Sequence, residues 1–184
     1  LAAAAQELRL PNKDGSVKFA VIGDSGQPGK GQTAIAQQMV TWRKRFPFKF
    51  SLMVGDNLYG SQDYTKKFAN PYKPLLDAGV QFYAALGNHD DGEQVQYKPF
   101  NMNGQKYYTF RPQLGTRFFA LDSNYVDQKQ IQWLDKELTA SGSDRKIVFF
   151  HHPLYSSGMH GSDIQLRAQL EPLFLKHGVD VVFS

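Results

Sequence analysis

Residues 51–60 read SLMVGDNLYG: an apolar run that stops at Gly55, Asp56 and Asn57, with Tyr59 two residues further on. Taken as a buried strand, residues 50–54 deliver a carboxylate at their carboxyl end. The same event recurs at residues 17–24, VKFAVIGD, and at 81–89, QFYAALGNH. Asp24 and Asp56 are 32 residues apart, and so are Asp56 and Asn88, about the length of a strand, a crossover helix and their loops in a βαβ unit. The spacing predicts an α/β fold in which three polar side chains reach one edge of one parallel sheet. That edge, outside the carboxyl ends of the strands, is where open α/β sheets bind ligands.

Working outward, a Lys13-Asp14-Gly15 turn precedes the first strand, expected over 17–22. A helix is expected over 32–45 and closed by Pro47, and a helical segment over 64–78 is interrupted by Pro71 and Pro74. Beyond residue 90 the pattern turns antiparallel, with aromatic-rich strands at 106–111 and 116–122 joined by a turn at 112–115. Asp127 is a plausible N-cap for a helix over 128–139, in which Ile131, Leu134 and Leu138 share a face. A buried strand at 147–150 empties into His151, His152 and Pro153. A last helix at 163–176 ends at Gly178 before a strand at 179–183.

At 184 residues with 41% hydrophobic and 14% aromatic content, one globular domain is expected, here over 17–184 after a lead-in at 1–16. No apolar run reaches the roughly 18 residues of a membrane span. There is no cysteine, which removes disulfides and thiolate metal sites and leaves only oxygen and nitrogen ligands for any metal. The net charge of +4 suits an anionic partner. Its one basic cluster, Arg43-Lys44-Arg45, falls at a helix end, where cations meet the dipole favourably, so nucleic-acid binding is not expected. The opening LAAAAQ resembles the small-residue tail of a secretory signal and suggests export.

Taken singly, Asp24, Asp56 and Asn88 fit turn residues and His151 fits a satisfied core histidine. Their convergence after apolar strands points elsewhere. Carboxylates, an amide oxygen and an imidazole suit a di- or trivalent cation, and a central Asp56 could bridge two.

Gly23-Asp24-Ser25-Gly26, Gly55-Asp56-Asn57-Leu58-Tyr59, Gly87-Asn88-His89-Asp90 and Val148-Phe149-Phe150-His151 resemble, in order, four of the five sequence blocks of the purple acid phosphatases. The small, tartrate-resistant animal-type members of the calcineurin-like metallophosphoesterase superfamily are the nearest in pattern. The resemblance implies a four-layer α/β/β/α sandwich of two mixed sheets flanked by helices. It also implies a dinuclear centre of Fe(III) with Fe(II), Zn(II) or Mn(II), with Asp24, Asp56 and Tyr59 holding one ion and Asp56, Asn88 and His151 the other. His151 is preferred to His152 because the family pattern is His-x-Pro. The wider superfamily carries Asp-x-His in the first block, where this sequence has Gly26, and Tyr59 takes the place of the lost imidazole. His89 is implied to bond the phosphoryl oxygen and His160 to protonate the leaving oxygen. The implied reaction is hydrolysis of small-molecule phosphomonoesters by direct attack of a metal-activated hydroxide. A fifth block, Gly-His-x-His, is implied to follow the last strand. The sequence ends at VVFS, residues 181–184, where that block is expected to begin, so the chain reads as incomplete there. Two rival readings are a phosphodiesterase or nucleotide pyrophosphatase on the same scaffold and a non-catalytic phosphate- or metal-binding protein.

Overall fold

The computed structural model describes residues 12–184; the signal-like stretch at 1–6 and Pro11 lie outside them. The chain runs β1 (Phe19–Ile22), α1 (Lys30–Arg43), β2 (Phe50–Val54), a π turn (Thr65–Ala69), α2 (Lys73–Asp77) and β3 (Gln81–Ala85). Two short 3-10 turns lead to β4 (Tyr108–Gln113), β5 (Thr116–Ala120), α3 (Gln128–Ala140), β6 (Arg145–Phe149), α4 (Ile164–His177) and β7 (Val181–Phe183). One sheet has the order β1-β2-β3 and is parallel throughout. The other has the order β4-β5-β6-β7, with an antiparallel β4-β5 hairpin followed by parallel pairs. Among the described residues the first sheet is parallel, each pair being joined by a βαβ crossover, and the second is mixed, within the α/β fold of two sheets flanked by helices that was expected.

Strand alternation builds the four layers. Leu52 and Val54 of β2, Phe118 and Ala120 of β5, and Ile147 and Phe149 of β6 face one another in the core between the sheets. Met53, Phe82 and Ala84 face outward, against Ala36 and Met39 of α1 and against Phe68, Tyr72 and Leu75. On the far side Phe119, Val148 and Phe150 pack on Leu134 and Leu138 of α3 and Leu166, Leu170 and Phe174 of α4. Aromatic rings dominate the middle layer: Phe50 meets Phe118 edge-on at 5.3 Å, and Tyr83 stacks on Phe110 at 3.7 Å. Offset and edge-on pairs of this kind add roughly 0.5–1.5 kcal/mol to the burial itself.

Element ends follow local chemistry. The Asp127 carboxylate accepts from the Gln130 N–H at 2.8 Å, and Asp163 does the same for Leu166 at 2.9 Å, so both helices are capped at their start. Gly178 closes α4 in the left-handed conformation, φ 62°. Removing the cap with Asp127→Ala is expected to cost about 1 kcal/mol, read as a small fall in urea midpoint with an unchanged slope.

Three expectations shift. The first strand is shorter than 17–22 and only half-buried, because β1 lies at a sheet edge. The helix expected over 32–45 starts at Lys30 and stops at Arg43. There the chain turns to bury Phe48, with the Arg43 guanidinium donating to the Phe48 and Ala78 carbonyls. Lys44 and Arg45 stay exposed. The segment at 64–78 divides into the π turn and α2 around Pro71, with Pro74 in the first turn of α2, where its missing N–H costs nothing. No helix among the described residues is long and apolar enough to cross a membrane.

Candidate metal centre

Asp24 and Asp56 each sit two residues beyond their strands, in the left-handed region at φ 51° and 52°. Aspartate tolerates that conformation better than most residues. They are therefore turn residues and inward-turned carboxylates at once. The two loops are laced together: the Asp24 N–H donates to the Gly55 carbonyl at 3.0 Å and the Gly26 N–H to the Asp56 carbonyl at 3.1 Å. A Cβ at Gly26 would overlap the Asn57 carbonyl and the Leu58 Cα. A histidine has no room there, so the close passage that brings Tyr59 to the site is also what keeps an imidazole out of position 26.

The side chains converge. Ligand atoms of Asp24, Asp56 and His151 all lie within 4.8 Å of one another. The Tyr59 hydroxyl donates to Asp24 Oδ1 at 2.9 Å. His151 Nε2 is 3.0 Å from Asn88 Oδ1 and 3.5 Å from Asp56 Oδ1. Asp56 is 2% exposed and stands between the two groups, with its Oδ1 also accepting the His89 N–H at 3.1 Å. His151 approaches over Gly55, where a Cβ would come within 2.6 Å of its ring.

This donor set fits cations on its own chemistry. His151 Nδ1 is 3.0 Å from the Val54 carbonyl. In the neutral ring that contact carries the proton, so the lone pair of Nε2 faces the Asn88 oxygen, two acceptors that a cation between them satisfies. Burial, followed by hydrogen bonds to Asp56 and Asp24 and their negative charge, pushes the Tyr59 phenol well above its ordinary range. A cation among these oxygens reverses that balance.

His89 is exposed, with its ring 5.0 Å from that of Tyr59. His160 is on an exposed turn beyond β6, and its side chain makes no hydrogen bond, ion pair or ring contact with the described residues. The geometry separates His152 from the cluster: its Nδ1 is 2.9 Å from Ser123 Oγ, and burial with the neighbouring His151 lowers its pKa.

Sequence reading missed the residues that hold the candidate ligands in place. Asp90 Oδ2 accepts from the N–H groups of Asn57 and Gly87 and from Asn57 Nδ2, and its Oδ1 from the Leu58 N–H and Gln94 Nε2, all at 2.8–3.0 Å. It thereby ties the loop after β2 to the loop after β3. From the other sheet, Ser123 Oγ accepts the His152 N–H at 3.0 Å, and Asn124 Nδ2 reaches the Gly87 carbonyl at 3.2 Å. The signal was available, since β5 also empties from an apolar run into polar residues, Asp122-Ser123-Asn124.

The calcineurin-like phosphoesterase family profile matches residues 17–184. Purple acid phosphatase 17 of Arabidopsis thaliana is 28% identical, with the match covering 93% of this chain and 62% of that protein. Human tartrate-resistant acid phosphatase type 5 is 26% identical, over 95% and 69%. Among solved structures, a dimetal phosphatase from Danio rerio superposes with a TM-score of 0.70 at 17% identity, covering 91% of this chain and 80% of that one. GAP50, the anchor in the inner membrane complex of Plasmodium, gives 0.74 at 22%, over 91% and 65%. At such identities the structures speak for the fold alone. The chain spans 62% and 59% of the length of Arabidopsis purple acid phosphatases 17 and 3.

Proposed function

We propose a function from the premise that this chain belongs to the calcineurin-like phosphoesterase family: it carries the ligand-bearing part of a dinuclear-metal hydrolase of small phosphate monoesters. The observation that supports this best is the convergence of four oxygen donors and one imidazole nitrogen from four loops and two sheets. In this reading Asp24 and Tyr59 hold one cation, Asn88 and His151 hold another, and Asp56 serves both. A bound pair would supply an activated water at neutral pH and neutralise phosphoryl charge. We assign Fe(III) to the Tyr59 side, since a phenolate is a hard anionic ligand, with Fe(II), Zn(II) or Mn(II) as its partner.

The chain's own groups do the orienting. The His89 N–H holds the Asp56 carboxylate, and the Val54 carbonyl holds the His151 ring with its lone pair outward. The exposed His89 imidazole would donate to a phosphoryl oxygen as charge grows there in the transition state. The leaving oxygen needs a proton, and His160 is our candidate donor because its loop departs from the same strand end as His151.

Metal content per chain and turnover of p-nitrophenyl phosphate against its bis-ester test the reading. Two ions with preference for the monoester uphold it. Preference for the diester moves the protein to the phosphodiesterases, and phosphate binding without turnover makes it a binding protein. Tyr59→Phe is expected to remove a broad visible absorption band from iron-loaded protein; an unchanged band would exclude tyrosinate ligation. His151→Ala is expected to lose one ion per chain, whereas His152→Ala keeps both, as read by elemental analysis after gel filtration.

A further inference from the structure

Lys67 is 7% exposed, yet no carboxylate among the described residues lies within ion-pair distance of its ammonium group. Lysine is rarely buried without a partner, because an uncompensated charge is costly to remove from water. Its donors go instead to two main-chain carbonyls, those of Tyr59 and of Ser61, the latter at 2.7 Å. These flank Gly60, an exposed glycine at φ 72° and the most pliable point of the loop.

The lysine is itself held on both sides. It belongs to the π turn, closed by the Asn70 N–H on the Thr65 carbonyl at 2.9 Å, a rare element that often marks functional sites. Its carbonyl accepts Gln32 Nε2 at 2.6 Å, and the same Nε2 donates to the carbonyl of Ser25, the neighbour of Asp24. One buried polar network therefore joins the Asp24 loop, the π turn and the Tyr59 loop.

We infer that Lys67 is a positioning residue for the metal centre: its ammonium clamps the carbonyls of Tyr59 and Ser61 and so holds the phenol against Asp24 before any cation arrives. The inference rests on the reading of Tyr59 as a metal ligand, and its test separates the two. Full-length protein carrying 3-fluorotyrosine is followed by fluorine NMR without metal, with the Tyr59 resonance identified by its loss in Tyr59→Phe. The same samples are then titrated with Fe(III). Lys67→Met is expected to shift or split the Tyr59 resonance and to weaken Fe(III) binding about tenfold, the scale of an outer-shell loss. Lys67→Arg keeps a two-carbonyl clamp and is expected to stay near wild type.

A folded Lys67→Met whose Tyr59 resonance matches wild type overturns the clamp, even if its melting temperature falls, because the lysine is then merely structural. Should Lys67→Met not fold, Lys67→Gln is judged by the same resonance. A Lys67-dependent Tyr59 resonance in protein that binds no Fe(III) upholds the clamp and removes the iron assignment.

Discussion

Asp56→Asn is expected to leave the protein folded while abolishing paired-cation binding and phosphomonoester hydrolysis together. The substitution keeps the shape and one acceptor oxygen, so the His89 N–H and, through the main chain, the Gly26 N–H retain their partners. What it removes is negative charge at the one position that faces both Asp24 and His151 within a shared 4.8 Å cluster. Loss of an outer-shell partner costs a metal site roughly 10–100-fold, and loss of a ligand shared by two ions should exceed that. Elemental analysis and turnover of p-nitrophenyl phosphate check it. Two ions per chain with undiminished turnover in Asp56→Asn would falsify the reading of Asp56 as the ligand shared by both ions.

The largest effect on stability is expected at Asp90. Asp90→Ala strips the acceptor from three main-chain N–H groups, those of Asn57, Leu58 and Gly87, and from two side-chain amides. Each orphaned buried donor costs about 1–3 kcal/mol, not additively, so a loss of about 3–5 kcal/mol is expected, in the range reserved for broken buried networks. For a chain of this size that lowers the melting temperature by roughly 10 °C.

Asp90 is expected to make the fold sensitive to pH. Burial raises its pKa above the ordinary carboxylate range, with the Gly87, Asn57, Leu58 and Gln94 donors opposing the rise. Protonation therefore favours the folded state. The contribution is full below the ordinary carboxylate range and disappears as pH rises through the raised folded value. Melting temperature against pH should lose that component in Asp90→Asn; parallel curves for wild type and variant would contradict it.

Much of this architecture is legible without coordinates. The strand ends at Asp24, Asp56 and Asn88 are marked by apolar runs stopped by glycine, and their equal spacing implies three parallel strands, as observed. Helix caps at Asp127 and Asp163 and the stop at Gly178 are local chemistry and can be read locally. The supports of the site are not. Asp90 looks like one more loop carboxylate until the loops from β2 and β3 are brought against it. Lys67 looks like a surface lysine beside Lys66 until a π turn directs it inward.

The sequence by itself determined the parallel direction of the first three strands and which residue types stand at the strand ends, because apolar runs and the glycines that stop them act within a few residues of one another. Tertiary structure decided the rest. It brought His151 to Asn88 and Asp56 while turning His152 toward Ser123, excluded a side chain at Gly26, and gave Asp90 and Lys67 their partners. Those choices depend on contacts between segments distant in the chain, such as the 97 residues separating His151 from the Val54 carbonyl. No local pattern encodes a distance that exists only once two sheets have packed.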